Sequence, residues 1–397
     1  MGKGTRAGVG TSRHRSASIA GRQAVTQALE QAGIDKPDFV LVFATVGYNQ
    51  QMLIDSIREA TGRAPLCGCS GEGVVGPSLA DESNFVVGVM VVQSDEVQMV
   101  CGHSQGVKAA AHAVGKSVAA EIAPHVRDDS CALLMFSDGL TCNYDRLMAG
   151  LNEGLPAAQR LPVLGGLAGE NFRMLQTYQY CNDSVISDGV SWALLSGSLR
   201  LITVVNHGSV PIGSERTITR CAGNVIYEID GKPTLDVFKE YVSEVDFADW
   251  GKVIVPLALG FPAPLHFGSE MQLILRFVPG KDDATRSVSI PTEVTEGQLV
   301  WMTRRDAEEV RNGLLHARDV IVSQLAGQPP KFVLQFDCGG RGKMLLHEDQ
   351  KLALLSELQQ GVGTTAPWLG FYTYGEFGPV NQVNSFHNYT VVLVVFY

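Results

Sequence analysis

Short apolar runs recur along the chain, and each is followed by a stretch of helical period. The clearest are Phe39-Val-Leu-Val-Phe43, Cys131-Ala-Leu-Leu-Met-Phe136 and Phe332-Val-Leu-Gln-Phe336. Four to eight apolar residues bounded by turn signals read as a strand. After each comes a helix, a short strand and a turn in which glycine precedes glutamate. The three turns are Gly68-Cys-Ser-Gly-Glu72, Gly166-Leu-Ala-Gly-Glu170 and Gly370-Phe-Tyr-Thr-Tyr-Gly-Glu376-Phe-Gly378. A further strand follows each, at 85–92, 192–195 and 390–396. Three copies of strand, helix, short strand, Gly-Glu turn and strand make an internal repeat of a βαβ-type unit.

The same pattern places the remaining elements. A helix is predicted over 18–32, ended by Gly33. Another, over 49–60, carries Met52, Leu53, Ile57 and Ala60 toward the sheet. Residues 85–92 and 97–101 read as a hairpin, 106–123 as an alanine-rich helix, and 177–186 as a second hairpin turning at Asn182-Asp183. The first dozen residues read as mobile. The βα pattern changes near 211–219, taken as a domain boundary. Beyond it come a strand at 224–229, a helix from Pro233 to about 245, strands near 253–258, 271–277 and 298–302, and a long helix over 306–325. The fold class is α/β to α+β, two packed domains with repeated βαβ-type units and mixed sheets. The divisions are an N-terminal segment and first helix at 1–35, a first domain at 36–215 and a second at 216–397.

Composition narrows the classes. A chain of 397 residues exceeds what one hydrophobic core usually supports. Hydrophobic residues at 45% against 18% charged residues describe a globular protein with a large core. The net charge is −10, and the only basic cluster is Lys3, Arg6, Arg13 and Arg15, too short and too poor in aromatics for a nucleic-acid interface. No apolar run approaches the roughly 20 residues of a membrane span, and the N-terminus lacks the apolar core of a signal peptide, so a cytoplasmic protein without membrane insertion is expected. Eight cysteines suit a reducing compartment. Cys67 and Cys69 stand one residue apart and the rest are dispersed, which supports no structural zinc site.

Candidate chemistry gathers at the turns. Glycine before the carboxylate allows close approach of a ligand or a chain segment. Glu72, Glu170 and Glu376 then project from strand ends, or else accept hydrogen bonds within their own turns. Tyr372, Tyr374, Phe377 and His387 give Glu376 the neighbours of a pocket wall. Asp337, Cys338 and Arg341 lie in a glycine-rich turn after a strand. Arg341 there is suited to clamp a carboxylate, with Asp337 or Glu376 for an ammonium, or to an internal pair with one of those acids. His387 and Asn388 precede the last strand, where the histidine reads as a ligand donor, a haem axial ligand or a structural hydrogen-bonder. Cys338 with His387 and Glu376 has the residue types of a nucleophilic site, without a hydrolase elbow. His103, His207, His266 and His387 are axial-ligand candidates by type, though no Cys-x-x-Cys-His motif occurs. Gly-Gly-Arg-Gly-Lys343 lacks the spacing and the hydroxyl of a phosphate loop.

Several of these stretches together resemble the FIST family, a two-part intracellular sensory module. The C-terminal ones carry most of the likeness: Phe336-Asp-Cys-Gly-Gly-Arg341, Gly370 to Pro379, and His387-Asn-Tyr-Thr390. Tyr227-Glu-Ile-Asp-Gly-Lys-Pro233 looks like the opening of the family's second domain and Gly68-Cys-Ser-Gly-Glu-Gly73 like the mark of its first. The resemblance implies a sensor of small ligands such as amino acids, signalling through a partner of the histidine kinase, cyclase or chemotaxis-receptor kind. With the site read at the Gly-Glu turns and the Asp337 to Arg341 loop, the expected ligand-binding residues are Glu72, Glu170, Asp337, Cys338, Arg341, Tyr374, Glu376, His387 and Asn388. Some members resemble haem-binding nitric oxide sensors, so haem stays open, as does a cysteine-dependent enzyme built on Cys338.

Overall fold

The computed structural model describes residues 4–264 and 272–397. Lys3, His266 and Met271 lie outside the described residues. The three repeats are complete and run in one element order. The first holds β1 (Thr5–Ser12), α1 (Ala17–Ala32), β2 (Phe39–Ala44), α2 (Gln50–Ala60), β3 (Leu66–Ser70), β4 (Gly73–Gly76), β5 (Leu79–Asp81) and β6 (Val87–Ser94). The second holds β7 (Val97–Gln105), α3 (Val107–Ile122), β8 (Ser130–Ser137), α4 (Tyr144–Gly154), β9 (Val163–Leu167), β10 (Gln179–Cys181), β11 (Ser184–Ile186) and β12 (Gly189–Gly197).

The third repeat opens with β13 (Leu201–Asn206) and is then interrupted by an inserted sheet. The insert carries β14 (Val210–Ala222), β15 (Val225–Ile229), β16 (Lys232–Pro233), α5 (Thr234–Lys239), α6 (Glu244–Phe247), α7 (Trp250–Ile254), β17 (Leu257–Pro262), β18 (Leu273–Arg276), β19 (Gly280–Asp282), β20 (Ser287–Ser289) and β21 (Leu299–Arg304). The repeat resumes with α8 (Ala307–Leu325), β22 (Phe332–Cys338), α9 (Glu348–Val362), β23 (Trp368–Thr373), β24 (Glu376–Val380), β25 (Val383–His387) and β26 (Val391–Phe396).

Each repeat builds a six-stranded mixed sheet around a parallel pair, and each sheet borrows a hairpin from another repeat. The orders are β1-β6-β2-β3-β10-β11, β7-β12-β8-β9-β24-β25 and β13-β26-β22-β23-β4-β5. The hairpin after each Gly-Glu turn thus leaves its own repeat in cyclic fashion, and all three repeats are interlocked. The predicted pairing of 85–92 with 97–101 is not formed. β6 pairs with β1 and β2, while β7 pairs with β12. The Ser94 hydroxyl accepts from the amides of Glu96 and Val97 and turns the chain from one sheet into the next.

Alternation along the strands explains the unbroken apolar runs. In β2, Phe39, Leu41 and Phe43 enter a core shared by all three sheets, and Val40, Val42 and Ala44 meet α1 and α2 outside. Strands buried on both faces need no polar residues. At the centre, Phe43, Phe136 and Phe336 meet edge to face at centroid distances of 5.2, 5.9 and 6.3 Å. The pairs α3 with α4 and α8 with α9 cover the other two sheets.

Three further expectations change. Residues 5–12, expected to be mobile, form edge strand β1, because Gly8 and Gly10 let α1 press onto it: a Cβ at either would meet the Ala28 or Ala24 carbonyl at about 2 Å. On α2, Met52 is exposed, and Leu53, Ile54 and Ile57 face the sheet. The helix expected from Pro233 to about 245 stops at Lys239 as α5, and α6 starts only at Glu244. The stretch 211–219 lies inside the long strand β14.

Candidate functional site

In each repeat a glycine of the second parallel strand faces the residue before the central phenylalanine: Gly68 opposite Val42, Gly165 opposite Met135, Gly370 opposite Gln335. From that glycine the chain takes four, five and six residues to reach Glu72, Glu170 and Glu376. The carboxylates therefore arrive in different places.

Glu72 is fully buried where the three repeats meet. Its Oε1 accepts from Lys343 Nζ at 2.6 Å, and its Oε2 from the Phe172 amide at 2.9 Å and the Tyr374 hydroxyl at 3.2 Å. Burial pushes the Glu72 carboxyl up, and Lys343 draws it part of the way back. Lys343 itself is 47% exposed, so this ion pair opens to solvent on one side. Glu170 stands next to it. Its Oε1 accepts from the Tyr374 hydroxyl at 3.4 Å and from the Met174 amide.

The Phe172 ring stacks on Tyr374 at 5.3 Å, with Lys343 Nζ 5.6 Å from the Phe172 centroid. Asn171, Phe172 and Met174 all hold positive φ, at 56°, 51° and 54°. A left-handed residue other than glycine costs about 1–3 kcal/mol and collects at ligand clamps and switch regions. Three within four residues mark this loop, which also presents Met174 and Leu175 to solvent.

The turn after β22 is closed on itself. Arg341 Nε donates to Asp337 Oδ1 at 2.7 Å and Nη1 donates to the His207 carbonyl at 3.1 Å, while Gln335 Nε2 donates to Asp337 Oδ2 at 3.0 Å. The paired side chains are 3% and 9% exposed, and the space beside them is about 20 Å³. That holds about one water. The arrangement is the internal acid–arginine pair, and Arg341 reaches a ligand carboxylate only by leaving Asp337. Across the turn, Glu82 accepts from the Lys343 amide at 2.7 Å and from Lys351 Nζ at 2.5 Å, and so ties the turn to the first repeat.

Glu376 begins β24 and points inward. Its Oε1 accepts from the Thr373 hydroxyl at 2.7 Å and its Oε2 from the Thr390 amide at 3.2 Å. Burial, with Asp337 nearby, pushes this carboxyl well up. Asn388 Oδ1 accepts from the Phe277 amide at 3.0 Å and fixes the insert to the third repeat. Burial raises the Cys338 thiol, with Glu376 adding to the effect, which is the reverse of what a nucleophile needs.

Two of the four haem candidates, His387 and His207, already hold hydrogen-bond partners. His387 Nε2 bonds the Gly378 carbonyl at 3.0 Å in a fully buried setting that lowers the ring to about 3. His207 Nδ1 accepts from the Ser209 amide at 2.9 Å, and its ring also meets the Leu273 backbone. Both are placed as structural hydrogen-bonders and fit an axial role poorly. His103 lies half-buried on β7, a strand at the sheet edge. Among the described residues, no group of three or more His, Cys, Asp or Glu side chains is placed to hold a metal ion, and no helix is long and apolar enough to cross a membrane.

A model of the FIST N domain matches residues 38–232, and one of the FIST C domain matches 234–379. The chain belongs to the FIST family. Its domains are sensory and signalling domains. The division between the two matched domains falls inside the inserted sheet, after β16, so FIST N spans most of two repeats and FIST C the greater part of the third. An uncharacterised protein of Mycobacterium tuberculosis is 25% identical over 396 residues, covering 98% of this chain and 99% of its own length. One of Mycobacterium bovis is 27% identical over 266 residues, 66% of this chain and 67% of its own. A solved chorismatase structure aligns over 99% of this chain and 98% of its own at 8% identity, with a TM-score of 0.37, too low to carry an argument.

Lys343, Phe172 and Glu82 had no place in the sequence-based site. Lys343 was weighed only as the end of a failed phosphate loop, and nothing local couples it to a glutamate 271 residues away.

Proposed function

We propose that the chain is a small-ligand sensor that takes an amino acid or a similar metabolite at the junction of Glu72, Glu170, Lys343 and the Phe172–Tyr374 stack. One observation carries this reading: a fully buried carboxylate is held by groups from the other two repeats and neutralised by a half-exposed lysine. An ammonium is a natural replacement for that lysine at Glu72, with Glu170 beside it. The released Lys343 then serves the ligand's carboxylate, and the stacked rings take its side chain.

Glu72 comes from the first repeat, Glu170 and Phe172 from the second, and Lys343 and Tyr374 from the third. A ligand at the junction therefore touches all three. It shifts their arrangement by as much as it prefers one state over the other. The strained 171–174 loop is the segment suited to move. On this reading the protein binds without catalysis, works in the cytoplasm and passes its signal to a separate protein such as a histidine kinase or cyclase.

The test is a thermal-shift screen of the amino acids on the intact chain and on Glu72→Gln. A ligand at 100 times its Kd stabilises by about 2.7 kcal/mol. At least one amino acid is expected to raise Tm, and Glu72→Gln to abolish that rise. A panel with no rise, or a rise that survives both Glu72→Gln and Lys343→Met, overturns the reading.

A further inference from the structure

A second cavity, of about 270 Å³, lies between the inserted sheet and the second repeat. This is close to the lower end of ligand-pocket volumes, about 300 Å³. Phe261 and Phe386 wall it, and Arg276, Tyr144 and Asp145 bring polar groups to it. It shares no lining residue with the Glu72 junction.

Arg276 is half-buried and has no carboxylate within ion-pair distance among the described residues. Its Nε donates to Thr292 Oγ1 at 2.8 Å, and its Nη1 to the carbonyls of Leu275 and Phe386 at 3.0 and 2.8 Å. All three acceptors are neutral, and among the described residues nothing accepts from Nη2. The guanidinium lies 6.0 and 5.7 Å from the Phe261 and Phe386 centroids. Arg341, by contrast, is buried against Asp337. Asp145 acts on this charge only from beyond ion-pair distance, so the half-buried guanidinium keeps a place for an anion at Nη2.

One nearby donor has spare capacity. The Tyr144 hydroxyl is buried without a hydrogen-bond partner. Asp145 accepts from the Glu293 amide at 2.8 Å and stands outside ion-pair range of Arg276. Glu293 is itself paired with Arg146 at 3.0 Å, so it does not neutralise Arg276.

We infer that this cavity binds a small carboxylic acid with an aromatic body. Arg276 Nη2 donates to one carboxylate oxygen and the Tyr144 hydroxyl to the other, and the body lies between the phenylalanine rings. A charge-assisted hydrogen bond together with aromatic packing supplies the selectivity. Such a ligand bridges the insert to the second repeat through Tyr144 and to β25 through Phe386.

The experiment is calorimetric titration of the full chain with phenylacetate and 4-hydroxybenzoate, with phenethylamine as the cationic control. At least one acid is expected to bind and the amine not to. Arg276→Gln should weaken binding at least ~10-fold, the loss of one charge-assisted bond. Tyr144→Phe keeps the ring and the fold and should also weaken it, and Glu72→Gln should leave it unchanged. Absence of heat from both acids, equal binding of the amine, or an affinity unmoved by Tyr144→Phe overturns the inference. So does an affinity lost in Glu72→Gln, which places the acid at the other junction.

Discussion

All three Gly-Glu turns end in buried carboxylates, and the chain treats Glu72 and Glu376 in opposite ways. Glu376 is turned into its own strand pair, satisfied by Thr373 and Thr390 from the same repeat, and held toward its neutral form by burial. Glu72 is drawn out of its repeat into contact with Phe172, Tyr374 and a lysine open to water. The residue types match, and the difference is two residues of spacing after the strand glycine. A carboxylate satisfied locally locks a corner of the fold, whereas one satisfied by half-exposed groups from elsewhere has partners that a ligand can replace.

The sharpest way to break this contrast is at the closed corner. Arg341→Ala leaves Asp337 buried and without its counter-ion, and losing one partner of a buried pair costs about 3–5 kcal/mol. The urea midpoint should fall accordingly. Were Arg341 a ligand clamp, the same variant would lose binding with its stability nearly intact. A small change in midpoint therefore reverses the assignment of closed and open regions.

Much of this architecture was legible. The apolar runs that became β2, β8 and β22, the Gly33 cap of α1, the turn at Asn182 and the threefold recurrence all follow from period and turn chemistry. What was hidden is non-local. The exchange of β4–β5, β10–β11 and β24–β25 between sheets depends on pairing partners 100 or more residues apart, such as Gln179 with Cys69. β6 and β7 imitate a hairpin because two strands joined by a short turn look alike whether or not they pair. At the site, the glutamates and Tyr374 were visible as residue types. Lys343 and Phe172 were not, because only the fold brings them to Glu72.

The closed corner also sets a pH signature. His387 is held down to about 3 by burial, against about 6.5 in an unfolded chain. The folded state refuses a proton that the unfolded state accepts. The ring's contribution is therefore complete above pH ~6.5 and is lost as pH falls toward 3, at about 1.4 kcal/mol per pH unit. Glu376 acts in the opposite sense: its raised carboxyl favours the folded state in acid, and that contribution is lost as pH rises through its folded value. Across urea midpoints at pH 7, 6 and 5 the native chain should lose ground relative to His387→Gln, whose amide can still donate to Gly378, while the opposing slope of Glu376 is common to both and cancels in the comparison. Parallel profiles would show that the acid sensitivity lies outside the corner.

The smallest stability effect belongs to the open region and carries the most information about function. Lys343→Met removes the counter-ion of Glu72, yet a half-exposed lysine contributes under about 1 kcal/mol. Glu72 is already pushed up by burial, and without Lys343 it takes a proton more readily and keeps its bonds to Phe172 and Tyr374. The midpoint should therefore barely move, while the ligand-induced rise in Tm disappears because the carboxylate of the ligand has lost its cation. A loss of several kcal/mol would make the junction a structural corner like that of Glu376, and would dissolve the contrast between them.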